Sequence, residues 1–189
     1  LALVGLTTPV ARAASLIVTN TNDSGAGSLR QAIADAASGD TITFSLPNPS
    51  TITLASQLTI DKNLTITGPG VSQLTISGNN TTRVFSVPAG ITLNLSGVTV
   101  ANGNAGSDSG GGIENRGTVA VSNSTFTGNK GHFGGAILTV DGSLTVSGST
   151  FTGNSAFSAG AIEQINGTAT VSNSTFTGNS AAKAVAFGG

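Results

Sequence analysis

Glu114 and Glu163 are the carboxylates whose spacing could do chemistry. Each follows the isoleucine of a recurring phrase, GGGIE at 110–114 and AGAIE at 159–163. A pair of carboxyl groups can hydrolyse a glycosidic bond, one protonating the leaving oxygen while the other activates water or attacks. If each phrase occupies one coil of a stack, the two glutamates stand two coils, about 9.6 Å, apart. That is near the upper end of the separation used by inverting enzymes. Against this, Leu138 takes the corresponding place in the intervening phrase GGAIL (134–138), and no aspartate neighbours either glutamate. The competing reading is two solvated charges at strand ends. His132 is the one histidine and cysteine is absent, a poor basis for zinc and for a Ser-His-Asp set. Asp108 and Asp141 are isolated, whereas calcium asks for six or more oxygens. No cofactor or metal is expected.

The elements that must position these residues are repeats. VAVSNSTFTGN (119–129), LTVSGSTFTGN (144–154) and ATVSNSTFTGN (169–179) are near-copies. Phe126, Phe151 and Phe176 recur at one constant interval, and Asn129, Asn154 and Asn179 keep the same interval. A fixed period of this length marks a stacked repeat architecture. Apolar residues alternate over short spans, the period of strands. Each unit reads as three strands, in the middle copy around Ile137, Leu144–Val146 and Ser149–Thr152. Strands this short hold together only by pairing in parallel with their copies one coil on. The spacing therefore predicts an all-β chain, a parallel β-helix with inward columns of Phe126, Phe151 and Phe176, of Val119, Leu144 and Ala169, and of Ile113, Ile137 and Ile162. The handedness preference of parallel crossovers makes it right-handed.

Asn129, Asn154 and Asn179 are expected to be structural, through left-handed backbone or amide ladders between coils. Thr125, Thr127, Thr150, Thr152, Thr175 and Thr177 flank the inward phenylalanines and should point outward as two parallel columns. Such a Thr-x-Thr array resembles the ice-binding face of some β-solenoid antifreeze proteins. One coil earlier, Val98-Thr99-Val100 is expected to interrupt it.

The chain opens LALVGLTTPVARA, an apolar run ending in Ala11-Arg12-Ala13. Residues 1–13 read as the end of a secretory signal peptide cut after Ala13. Residues 14–40 then hold a first strand at Leu16–Thr19 and a helix at Ser28–Ala37, with Ser28 and Gln31 spaced for a capping box. A helix with Leu29 and Ile33 on one face suits the task of covering the first coil's open end. Residues 41–189 are the β-helix, in about six coils. Prolines fall only between its predicted strands, and Ala101–Gly112 is expected to bulge as a loop. Phe187-Gly188-Gly189 matches Phe133-Gly134-Gly135, so the sequence is expected to stop within a repeat.

Charged residues make up only 8% of the chain, against roughly 25% in average globular proteins. Without residues 1–13, six basic side chains face eight acidic ones, a net charge of −2. That offers no basic patch for nucleic acid. No later apolar run is long enough to span a membrane.

The run VTNTNDSGAGSLRQAIADAASGDTITF (18–44) resembles the N-terminal segment of bacterial exported right-handed parallel β-helix proteins. Many of those carry a CSLREA-like motif where this chain has GSLRQA, without the cysteine. GGGIENRGTVAVSNSTFTGN is similar to repeats of the same group, and the pairing of GGAI with Phe-x-x-Asn resembles repeats of polymorphic outer-membrane autotransporters. The resemblance implies an exported or cell-surface bacterial protein. It does not choose an activity, since adhesins and polysaccharide lyases or hydrolases share the fold. With catalytic groups scattered, the expected function is a non-enzymatic adhesin or stalk presenting polar ladders to glycans or proteins. A β-helix polysaccharide lyase or hydrolase is the alternative, and ice binding through the threonine face a second.

Overall fold

A computed structural model of the chain describes residues 13–182. All but the last residue of the proposed signal segment, and the repeat of the Phe-Gly-Gly phrase at 187–189, lie outside the described residues. The chain forms a parallel β-solenoid of about seven turns. The first sheet stacks Ser15–Val18, Thr41–Phe44, Leu64–Thr67, Thr92–Ser96, Thr118–Ser122, Ser143–Ser147 and Thr168–Ser172 in that order. The second runs from Leu58–Thr59 through Phe85–Val87, Ile113–Asn115 and Ile137–Val140 to Ile162–Ile165. The third runs from Ser50–Thr53 through Leu74–Ser77, Thr99–Ala101, Thr125–Thr127 and Thr150–Thr152 to Thr175–Thr177.

Three expectations change. There are about seven turns, not six, because the early coils are uneven: Thr41 pairs with Thr65, and Thr65 with Asn94, a short step followed by a longer one. Counting predicted strands in threes cannot see that unevenness. The repeats also carry a fourth strand, at Lys130–Gly131, Ser155–Ala156 and Ser180–Ala181, forming a small fourth sheet. Two-residue strands with one outward side chain leave no alternation to read. The loop after Ala101 is drawn into the same stack rather than bulging freely, for Asn104 bridges to Lys130.

The expected columns form the core. Leu64, Leu93, Val119, Leu144 and Ala169 align in register, as do Leu58, Phe85, Ile113, Ile137 and Ile162. The third column runs Ile52, Ile76, Val100, Phe126, Phe151 and Phe176. As far as Ile137, Leu144 and Phe151 these side chains are buried, and full burial of a large apolar one contributes about 1.5–3 kcal/mol, whereas Ala169 and Phe176 are exposed.

The helix at Leu29–Asp35 caps the N-terminal end. Leu29, Ala32 and Ile33 are buried against the first coils. The Ser28 hydroxyl accepts from the Gln31 N–H at 3.1 Å, but the Gln31 side chain donates to Asp35 instead of returning to Ser28, so only half of the capping box forms. Arg30 ties the helix to the coil beneath, donating to the Ser56 and Gln57 carbonyls and to Asp23. Lys62 donates to the carbonyls of Ile33 and Ala34 near the helix C-terminus, where a cation is favoured.

Asn129, Asn154 and Asn179 form the expected ladder, though not through left-handed backbone. The preceding Gly128, Gly153 and Gly178 take the positive φ. The Asn129 amide donates to Asn154 Oδ1 at 2.9 Å and to the Val100 carbonyl at 3.0 Å. Asn154 repeats this toward Asn179 and Phe126. Asn129 Oδ1 accepts the Gly103 N–H. The buried amides of Asn129 and Asn154 thus have every donor engaged, which removes the penalty of burying them. A serine ladder runs alongside: the Ser124 N–H donates to Ser149 Oγ and the Ser149 N–H to Ser174 Oγ, both at 3.2 Å.

Candidate functional site

Glu114 and Glu163 do share a column, with Leu138 between them. Neither is the solvated strand-end charge expected. The Glu114 side chain is 18% exposed and paired through both oxygens, at 2.8 Å to Arg83 and 3.0 Å to Arg116. The 102–112 segment folds back over Arg83, whose guanidinium donates to the carbonyls of Ser109 and Gly110 and to Gln57 Oε1. Arg83 is thereby held beside Glu114. Glu163 accepts the Gly134 N–H at 3.1 Å and the Ser158 hydroxyl at 3.0 Å. Both carboxylates are thus committed to holding neighbouring coils and turns together. An open cleft of about 270 Å³ lies over Arg83, Asp108, Glu114 and Arg116, where the charges balance.

Sequence reasoning misses this cluster, although one signal for it exists: Arg83 and Arg116 lie on either side of Glu114 once the early coil is placed in register. Gly134, with φ +58°, and Gly135, where a Cβ would meet the Gly160 and Ser155 carbonyls, allow the tight corner that brings Glu163 under the Gly134 amide.

His132 is half-buried. Its imidazole lies flat against Phe157 of the next coil, centroids 5.0 Å apart, and meets Phe133 edge-on at 4.5 Å. Among the described residues no three His, Asp or Glu side chains gather as a metal site. No helix among them is long and apolar enough to cross a membrane.

The Asp23 carboxyl titrates below its usual range. Burial alone would raise its carboxyl, but the hydrogen bond from Arg30, the Ala55 N–H and the Arg30 charge together hold it below its usual 3.8.

The threonines occupy the third sheet's outer positions. Thr125, Thr150 and Thr175 align, as do Thr127, Thr152 and Thr177. The expected break at Val98-Thr99-Val100 is displaced, because Val100 rather than Thr99 matches Phe126. Thr99 therefore continues the first column, and Thr75 and Thr51 extend it to six ranks. The second column is interrupted by Ala101. Thr99 is also engaged, its hydroxyl donating to the Val71 carbonyl at 2.8 Å. The first sheet's outer edge carries a similar row of Ser96, Ser122, Ser147 and Ser172.

The fold and these surfaces define a parallel β-solenoid with hydroxyl-bearing faces. Compared with protein-family models the chain matches none, and no significant match is found among curated proteins.

Proposed function

We propose that the chain is a non-enzymatic segment of an exported bacterial surface protein. It is an adhesin or stalk whose outer faces present in-register polar residues to glycans or to other surface proteins. The observation that carries this reading is the engagement of both candidate carboxylates in coil-to-coil contacts, alongside uncharged hydroxyl columns on two outer faces. A face of repeated weak contacts binds by avidity, each further coil adding to the same encounter. The resemblance to exported β-helix proteins and to autotransporter repeats supports the same placement at the cell surface. A glycan array and a cell-binding assay with the purified chain test it. Binding in either supports the reading, and blanks in both count against it. Release of unsaturated or reducing-end products from pectin or alginate would favour the lyase or hydrolase reading instead.

The extended threonine column from Thr51 to Thr175 favours a second reading, ice binding. Its hydroxyls would repeat at about 4.8 Å between coils. A freezing assay without thermal hysteresis or crystal shaping removes it.

A further inference from the structure

Among the described residues Asp40 is the one charged residue that is buried, 5% exposed. It follows the turn at Ser38-Gly39, just after the cap helix. The stack fixes its backbone: the Asp40 N–H donates to the Ala37 carbonyl, and the Asp40 carbonyl accepts the Thr65 N–H of the next coil. One carboxylate oxygen accepts the Ala37 N–H at 2.8 Å, and the other accepts the Ala14 N–H at 2.6 Å. The less buried Asp23 and Glu114 are each paired with arginine. Among the described residues no lysine, arginine or histidine pairs with Asp40. Neutral donors alone leave a buried carboxylate incompletely compensated, because a charge taken out of water is costly unless it meets the opposite charge.

Ala14 is the residue that follows the Ala11-Arg12-Ala13 pattern. Its carbonyl accepts the Thr41 N–H at 2.9 Å, and the first strand opens one residue later at Ser15. Ala13 and Ala14 are both exposed, so the peptide bond between them is open to a peptidase. Hydrolysis there breaks the bond from the Ala13 carbonyl carbon to the Ala14 nitrogen. Water's hydroxyl goes to that carbon, and its protons end on the nitrogen, leaving Ala13 a carboxylate and Ala14 an α-ammonium. The new cation arises at the atom already 2.6 Å from Asp40 Oδ1, as short as charge-assisted hydrogen bonds run. Before the cut, Ala14 offers Asp40 one neutral donor. After it, the same nitrogen offers a full positive charge.

We propose that cutting after Ala13 completes the N-terminal cap, the freed Ala14 α-ammonium becoming the counter-ion of the buried Asp40 carboxylate. This pairing rests on the reading of residues 1–13 as a secretory signal and adds the acidic group that receives the new terminus. Only the exported, cut form then carries the ion pair. It pins the first strand at its free end, where chain termini otherwise fray. The cut removes no paired strand, since the first begins at Ser15.

The test compares three proteins by amide hydrogen exchange at Thr41, whose N–H reports whether Ala14 is docked. They are the chain beginning at Ala14 with a free amino group, the same chain N-acetylated, and the uncut chain 1–189. Acetylation keeps the Ala14 N–H and removes the charge. The free-amine chain should exchange about fivefold or more slowly than the other two, the margin of a charged over a neutral hydrogen bond. D40N should erase that difference, and the wild-type comparison stands by itself if D40N does not fold. Equal exchange in the free and acetylated chains overturns the pairing, as does a difference that survives in D40N. In protein isolated from the cells that make it, labelling of free amino termini before tryptic digestion should find the peptide Ala14–Arg30. A terminus elsewhere on a chain recovered outside the cell overturns the cut after Ala13 and leaves the surface reading intact. An uncut chain kept inside the cell overturns both.

Discussion

Phe126 lies on Phe151 with ring centroids 4.9 Å apart and planes 6° from parallel, and Phe151 meets Phe176 in the same geometry. The separation follows the coil spacing, so the register of the backbone sets the aromatic contact. Phe151→Ala should cost about 3–5 kcal/mol in urea unfolding, through lost transfer energy and the cavity left between two rings. Phe176→Ala should cost distinctly less, because that residue is already 46% exposed. Equal costs at the two positions would mean that the stack does not carry the core's stability as described.

Asn154→Ala removes the acceptor of the Asn129 N–H and amide, and the donor to the Phe126 carbonyl. These groups are buried, so the expected loss is about 1–3 kcal/mol for each group left without a partner. Hydrogen exchange at the Asn129 amide should accelerate beyond what global destabilisation explains. An unchanged exchange rate there would contradict the ladder.

Glu114→Gln leaves the 11%-exposed Arg83 beside a neutral amide. Loss of this charged hydrogen bond should lower stability by about 1.5–3 kcal/mol. Limited proteolysis should then cut within 104–109, the segment whose Ser109 carbonyl Arg83 holds. Glu163→Gln should leave that segment resistant.

Asp23 predicts a pH dependence at the N-terminal cap. Burial pushes its carboxyl up, but the Arg30 hydrogen bond, the Ala55 N–H and the Arg30 charge outweigh it and hold the group below 3.8. A depressed carboxylate contributes stability that is complete above the unfolded value and is lost as pH falls through the folded one. The urea midpoint should therefore drop as pH falls below about 5, and Asp23→Asn should flatten part of that drop. A variant with the wild-type slope would remove Asp23 from the acid response.

The repeats were legible because they state their period outright. Once Phe126, Phe151 and Phe176 align, the neighbouring inward and outward positions follow from alternation. The early coils were less so. Unequal steps from Thr41 to Thr65 and from Thr65 to Asn94 hide the register, and with it the place of Thr99 beside Thr125. The polar cluster was the least legible. Arg83 and Glu114 are distant in sequence and meet only because an intervening segment folds over the guanidinium, a tertiary event with no periodic signal. His132 and Phe157 keep the repeat's own spacing, yet the phrases GHFGG and AFSAG differ enough to conceal it.

The constant step of the repeats has a consequence for size. Between Val119 and Ser180 successive coils present nearly the same residues to each other, so each junction is chemically close to the next. Deleting or duplicating one such unit would leave the remaining junctions matched, because each coil touches only its immediate neighbours. Length is therefore a quantity this chain can change without redesign. The length of the solenoid can be set in increments of about 4.8 Å.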